Sequence, residues 1–555
     1  MNRNYFISKI TLIVLTVLSF SVMLSGCGLE IFEQPAEDTE KSVEYLIVEN
    51  GEISVPLTGF NDLNPLLIDN LDYYYFSKLI FEGLFEYDKN MEPIPQLAST
   101  YTIDEDGRRI EVFLRDDVYW HNGDLFTADD VVHTFNALVA AKEEGYLTKL
   151  LISSVRGNVD LNFIKIKKTS EKSVEVILKE PIGNWKDLLT FPIVSRSTGN
   201  DVLKRDGYIP IGTGPFKYRD YIKYKEVKLV ANPAYRGGTP QIARINGKIF
   251  EDERIILTAF ETGKLSMARN VGSDWDKYDH LTRIKFYEYV SDELEFMAFN
   301  KERFEGEEGL ALKKAIMYSV DRQSIIDKVF LQHATQTDTP VHPDSYLSDQ
   351  SCCRYGYSKE NALYELSRTD SYEVDPMTEK VISIENGEEL TLRLLVDTES
   401  RQMSAVTEII RNNLVETGIG IEIVNLVPLK DETRSQALFR IFESGDYDIA
   451  LLNYSLSVVP EYKKMLLELN ALDELAEEDD FNNSVDDVYN FWGDDDRTMV
   501  FRKFQDSFAG NLPFGTLYFK NRVLMVDSEI MGPLEPSFNN LYRGLEKCFL
   551  AFYTD

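Results

Sequence analysis

Phe113-Leu114-Arg115-Asp116-Asp117-Val118-Tyr119-Trp120-His121-Asn122-Gly123, running on through Asp124 and Leu125 to Phe126-Thr127-Ala128-Asp129-Asp130-Val131, is the stretch from which the fold can be read. Glu111 to Arg115 places apolar side chains inside a short polar frame and reads as a strand. Asn122-Gly123 is a turn signal, because both residues tolerate the conformations a tight reversal needs. Thr127, followed three residues later by Asp130, is a helix N-cap. Val131, Phe135 and Leu138 then recur at i, i+4 and i+7, with Val132 and Val139 beside them, as one apolar helical face. Strand, turn and capped helix are therefore predicted within Val118–Val131. His133 lies off the apolar face and reads as a surface or capping group.

The same alternation continues outward without a repeating period. Tyr45 to Val48, Val174 to Leu178 and Leu392 to Val396 are strand-like. Leu312, Ala315, Ile316, Ser319 and Val320 mark one further amphipathic helix, and Val406, Ile409, Ile410 and Leu414 another. Phe81 to Phe85 reads as a buried turn of helix. Gly212-Thr213-Gly214-Pro215 reads as a backbone turn using the freedom of Gly and the fixed φ of Pro. Asp321-Arg322 ends one helical stretch and caps the next. Residues 473–497, rich in Asp, Glu and Asn, read as a solvated helical insertion. Interleaved strands and helices of this kind predict a mixed α/β architecture.

At the amino end, Arg3 and Lys9 precede an apolar run over residues 10–24 and then Leu24-Ser25-Gly26-Cys27. A basic start, a short apolar segment and small residues before a cut make a secretory signal. The run is shorter than the roughly 20 residues of a stable membrane span. The segment resembles a bacterial lipoprotein signal, which implies that Cys27 receives lipid and becomes the first residue. Residues 28–43 are acidic, contain one Pro and read as a tether.

The chain carries 555 residues and a formal charge of −34; removing residues 1–26 removes Arg3 and Lys9 and leaves −36. That balance argues against nucleic acid and against broad adhesion to anionic lipid. With 43% hydrophobic and 12% aromatic residues, a sizeable core is available, and the length suggests two or three domains. Besides Cys27 there are only Cys352, Cys353 and Cys548, with no Cys-x-x-Cys spacing. A bridge from Cys548 to either neighbour is left open.

Further segments occur in a fixed order around the first. They are Leu63-Asn64-Pro65, Phe81-Glu82-Gly83-Leu84-Phe85, Pro95-Gln96-Leu97-Ala98, Gly212-Thr213-Gly214-Pro215-Phe216, Ala315-Ile316-Met317-Tyr318-Ser319-Val320-Asp321-Arg322 and Gly445-Asp446-Tyr447-Asp448. Together they resemble the extracellular solute-binding proteins of peptide and nickel ABC transporters, the oligopeptide- and dipeptide-binding group, from about residue 45 to 550. The resemblance implies an α/β, two-lobed periplasmic-binding-protein-like (class II) fold with an extra domain on lobe one and a ligand cleft between the lobes. Lobe one is expected at 44–80, 189–288 and 506–555, the extra domain at 81–188, and lobe two at 289–505.

The resemblance also implies a function. A lipid-anchored receptor outside the cytoplasmic membrane, monomeric and without cofactor, would close on a small peptide or other solute and hand it to ABC permease subunits. A peptide would be held like an added strand, with an acid on lobe two pairing with its amino terminus. Aligning Asp448-Ile449-Ala450 puts Ser457 where that acid is expected, or Leu456 after a shift of one; the next acid is Glu461. This is the main departure from the family pattern. Asn453, Tyr454 and Ser455 fall on the ligand-contacting strand. Arg269 and Asn270 follow the turn Thr262 to Ser266 into the cleft, and Thr58, Phe60 and Asn61 form the loop before Leu63.

Five His (121, 133, 280, 333, 342) show no i, i+4 pair, so no metal site is expected. A nucleophile elbow, a zincin motif and a phosphate loop are likewise missing from the sequence, which argues against an enzyme. A sugar-like solute, recognised by stacking on some of the 62 Phe and Tyr, or a non-transport sensor or adhesion lipoprotein, would use the same fold.

Overall fold

In the computed structural model the described residues are 45–60, 62–68, 70–141, 163–270, 278, 280–457, 461–469, 480–491 and 494–553. Cys27, Asn61 and the tether lie outside them. Residues 47–552 form one compact unit; of the other, made of 1–46 and 553–555, only Tyr45, Leu46 and Tyr553 are described.

The opening stretch folds largely as its sequence suggests. Ala128–Ala141 is a helix; the Thr127 amide donates to Asp130 Oδ2 at 2.9 Å, closing the cap. The same carboxylate accepts from Trp120 Nε1 (3.2 Å) and, through Oδ1, from the Arg196 amide (2.9 Å). Asp130 is buried because each oxygen has a donor. The segment before the helix shrinks to a single bridge between Tyr119 and Leu125 around the Asn122-Gly123 turn. The helix packs on a four-stranded antiparallel sheet ordered Ala98–Ile103, Arg109–Leu114, Ser173–Leu178, Ile164–Ser170.

A second four-stranded sheet runs Glu52–Thr58, Arg244–Phe250, Glu226–Ala231, Phe216–Ile222. Its first pair is parallel and the other two are antiparallel. Ile53, Val55 and Leu57 turn inward beneath the helix Leu71–Ser77, which Asn70 caps by accepting from the Tyr73 amide. A side chain at Gly247 would press on Leu57 and Phe76, so glycine sets how closely helix and sheet approach.

Two local expectations change. Phe81 to Phe85 is buried but not helical: the helix ends at Ser77, and Phe85–Tyr87 is a strand. Gly212 and Gly214 do not adopt positive φ. They are glycine because any Cβ would run into the Ile80 backbone, whose carbonyl accepts from the Gly214 amide at 2.9 Å.

The third sheet is the frame of the molecule. Its order is Met267–Asn270, Gly515–Asp527, Ile284–Phe299, Ile449–Ser455, Thr391–Val396, Gly420–Asn425, with Ala334–Gln336 on the second of these. Thr391–Val396 pairs in parallel with both its neighbours, as crossover helices such as Arg401–Thr417 require. The two long strands, Ile284–Phe299 and Gly515–Asp527, pair antiparallel except at a small shift between Glu295 and Phe296 and at a larger bulge. There Ser291, Asp292 and Glu293 fall between the pairs Val290–Asn521 and Leu294–Phe519.

The described part of 473–497 is not a solvated insertion but belongs to two helices with buried faces. Phe481, Val485, Val488 and Tyr489 of the helix Asp480–Asn490 are buried, and so are Val500, Phe501, Phe504 and Phe508 of the helix Asp494–Asn511. They cover one face of the large sheet against Leu294, Phe296 and Phe519. The many acids of 473–497 include residues 473–479, which lie outside the described residues. Cys352, Cys353 and Cys548 are free thiols, so no bridge joins them.

Candidate functional site

Alternate residues of a strand share a face. Along Gly515–Asp527 one face carries Tyr518, Lys520, Arg522, Leu524 and Val526. Leu524 and Val526 belong to the core beneath the helix Leu71–Ser77, and Tyr518 to the core beneath Arg401–Thr417. Two separate cores thus press on the same face of one sheet, and Lys520 and Arg522 lie in the gap between them. The gap is the cleft, and the two long strands Ile284–Phe299 and Gly515–Asp527 floor it.

Charged side chains fill that floor. Lys520 pairs with Glu295 at 2.6 Å and with Glu293 at 3.4 Å; Glu293 also takes Arg522. On the lobe-one side, Arg269 reaches Asp72 at 3.3 Å. The Thr58 amide donates to the same Asp72 carboxylate at 3.1 Å, and the Thr58 hydroxyl donates to it as well. Thr58 and Arg269, distant in sequence, therefore meet at an acid that sequence reasoning did not select. Glu295 is 3% exposed at its side chain, and burial pushes its pKa up. Asp292, at the bulge, is also pushed up by burial, only partly offset by Arg522.

The other candidates divide. Asn453 and Ser455 pair in register with Glu295 and Glu293 and lie on the cleft face. Tyr454 projects to the opposite face, where its hydroxyl donates to Glu468 at 3.2 Å and its ring packs with the core under residues 480–511. Ser457 donates to Glu461 at 3.0 Å, and Lys464 pairs with the same oxygen at 3.5 Å. Phe60 is buried edge-on against Tyr73 and Tyr221 and acts as core. Asn270 is buried in register with Val523. Sequence reasoning passed over Asp72, Asp292, Glu293, Glu295, Lys520 and Arg522. Their signal was charge at i, i+2 inside apolar strands, at Glu293 and Glu295 and at Lys520 and Arg522.

A cavity of about 280 Å³ opens beside the floor, where the carboxyl ends of the parallel strands converge. It is lined by Glu295, Lys520, Asn453, Met403, Leu426 and Leu438, among others. Crevices beyond the carboxyl ends of parallel strands are where open α/β sheets accept ligands. Among the described residues no cluster of three or more His, Cys, Asp or Glu has the makings of a metal site.

Two lobes on a shared sheet, an extra antiparallel domain on the first, and a polar cleft at the crossing define a class II, periplasmic-binding-protein-like fold. Residues 92–467 match the family described as bacterial extracellular solute-binding proteins, family 5 Middle, and the chain belongs to that family. A putative ABC transporter peptide-binding protein of Brucella ovis is 27% identical over 51% of this chain, so the chain spans about half of that relative's length (53%). The solved structure of the substrate-binding protein CtaP from Listeria monocytogenes superposes with a TM-score of 0.70 at 20% identity, covering 91% of this chain and 100% of that one. The oligopeptide-binding protein AppA of Bacillus subtilis, solved with a nonapeptide, gives 0.59 at 17% identity, covering 91% and 100%.

Proposed function

We propose that the protein is a lipid-anchored receptor outside the cytoplasmic membrane that binds an oligopeptide-like ligand and delivers it to an ABC import permease. The observation that carries this reading is the charged floor between two cores on one sheet. A ligand laid there touches both lobes, so it binds the closed state better and shifts the population toward it. The names of the Brucella and Bacillus relatives, and the nonapeptide in the latter's structure, support a peptide-like ligand. The reading involves no covalent chemistry and no cofactor, with Cys27 as the site of lipid attachment.

The domain division is part of the proposal. Lobe one holds 44–80 and 189–288, the extra domain 81–188, and lobe two begins at 289. The return crossing is placed at Lys520, opposite the bulge, so residues 506–519 go with lobe two.

Native mass spectrometry of the gently purified protein, followed by denaturation, tests the reading. A ladder of released peptides is the expected result. A single non-peptide mass would replace the peptide-like ligand by another solute.

A further inference from the structure

The cavity beside the cleft floor looks charged by composition, yet its charges are spent on one another. Four charged side chains line it: Glu295, Asp397, Arg434 and Lys520. Arg434 donates through Nε to Asp397 at 2.7 Å and pairs through Nη1 with Glu399 at 2.6 Å. Lys520 is held by Glu295 at 2.6 Å. Between these pairs the lining is apolar, from Met403, Leu426, Leu438 and Leu451. Leu426 and Leu451 are buried, and Met403 packs on the core beneath the helix Arg401–Thr417.

The sheet sets where this cavity lies. Thr391–Val396 and Gly420–Asn425 run parallel, and Asp397 and Leu426 are the residues at which they end. The helix capped by Ser400 starts there and brings in Met403. Glu295, Lys520 and Asn453 belong both to the cavity wall and to the cleft floor, so the cavity opens from the floor. At about 280 Å³ it falls below the roughly 300–1,000 Å³ of sites that take a whole small ligand. It has room for one side chain.

We propose that this cavity makes the receptor sequence-selective, admitting one large, neutral, apolar side chain of the ligand and refusing charged ones. The inference rests on the peptide-like reading above and adds to it the class of peptide preferred. A ligand laid along the floor as an added strand sends alternate side chains to one side, and one of them enters beside Asn453. A leucine or phenylalanine there exchanges water for an apolar wall. An acidic or basic side chain would lose its water and meet no unspent counter-charge, since Arg434–Asp397 and Lys520–Glu295 would have to break to receive it.

The test uses pools of synthetic pentapeptides, random except for one fixed residue, Leu, Ala, Asp or Lys, placed at each position in turn. Peptides retained by wild type, Met403→Trp and Met403→Ala are read by native mass spectrometry. At one position wild type should retain Leu about 10- to 100-fold better than Ala, and Asp and Lys no better than Ala. M403W, which fills the cavity, should bring the Leu-to-Ala ratio at that position close to one. Equal retention of Leu and Ala at every position, or a preference for Asp or Lys at the selective one, would overturn the assignment while the peptide-like reading stands. So would an unchanged ratio in M403W, or loss of every pool by an M403W that melts like wild type. Should M403W melt lower than wild type, M403A decides: a ratio shifted from the wild-type value supports the proposal, and an unshifted one overturns it. Retention of no pool by wild type would overturn both readings.

Discussion

Asp187 and Arg497 are 310 residues apart in sequence, yet their side chains meet at 2.8 Å and are only 2% and 7% exposed. Tyr87 donates its hydroxyl to the other Asp187 oxygen at 2.7 Å. The pair joins the segment after the strand Ser173–Leu178 to the helix Asp494–Asn511.

Breaking this pair from one side should be costly, because it strands a buried charge. Arg497→Met is expected to destabilise the protein by about 3–5 kcal/mol, measured by urea unfolding. The double variant with Asp187→Asn should recover much of that loss. A neutral R497M would mean that the pair contributes nothing to holding these two segments together.

Gly183 sits four residues before Asp187 and donates its amide to the Tyr489 carbonyl at 2.8 Å. A Cβ on Gly183 would collide with the Phe491 carbonyl, which is backbone and cannot swing away. Gly183→Ala should therefore cost about 1–3 kcal/mol and speed amide exchange around Tyr489. Unchanged exchange there would show that the two segments separate freely.

His342 is buried under the hinge. Its Nδ1 accepts from the Asp344 amide at 3.2 Å, so Nε2 carries the proton and donates to the Ser291 carbonyl, also at 3.2 Å. The ring stacks on Phe538, with centroids 5.4 Å apart. Burial pushes its pKa down to about 4. The folded state thus binds fewer protons than the unfolded one. The stability this confers is present above about pH 6.5 and is lost as pH falls toward 4. Its size is on the order of 3 kcal/mol. His121, partly buried and lowered to about 4 by desolvation, adds a smaller contribution of the same sign. Unfolding free energies at pH 7 and 4.5 should differ less in His342→Gln than in wild type. An equal difference would show that other groups set the acid limit.

Cys27→Ala should leave the protein without lipid, detectable as a lower intact mass and loss from the membrane fraction. Ligand affinity should be unchanged, because every proposed cleft residue lies beyond residue 57 in sequence. Acylated, membrane-retained material from this variant would remove the lipoprotein assignment.

Much of the fold was legible because it depends on neighbours in sequence. The Thr127–Asp130 cap, the apolar face of 128–141, the N-cap role of Asp321 and the strands Arg109–Leu114 and Thr391–Val396 all follow from spacing over a few residues. The family resemblance rested on such local segments as well, many of them scaffold turns. The candidate site was legible only in part. Asn453 and Ser455 fall on the cleft face, whereas Tyr454 turns away, since adjacent residues of a strand point to opposite sides. Phe60 looked available in sequence but is buried by Tyr73 and Tyr221.

Short-range periodicity and capping were enough to settle the element types and the α/β class, and ordered motifs were enough to place the chain in its family. They did not settle which charges share the cleft floor. Lys520 meets Glu295 and Glu293, and Arg269 meets Asp72. Those outcomes depend on a three-residue bulge and on the register of strands more than 200 residues apart. A one-residue slip in that register would turn every side chain to the other face, so the partners are decided only when the two long strands lock together.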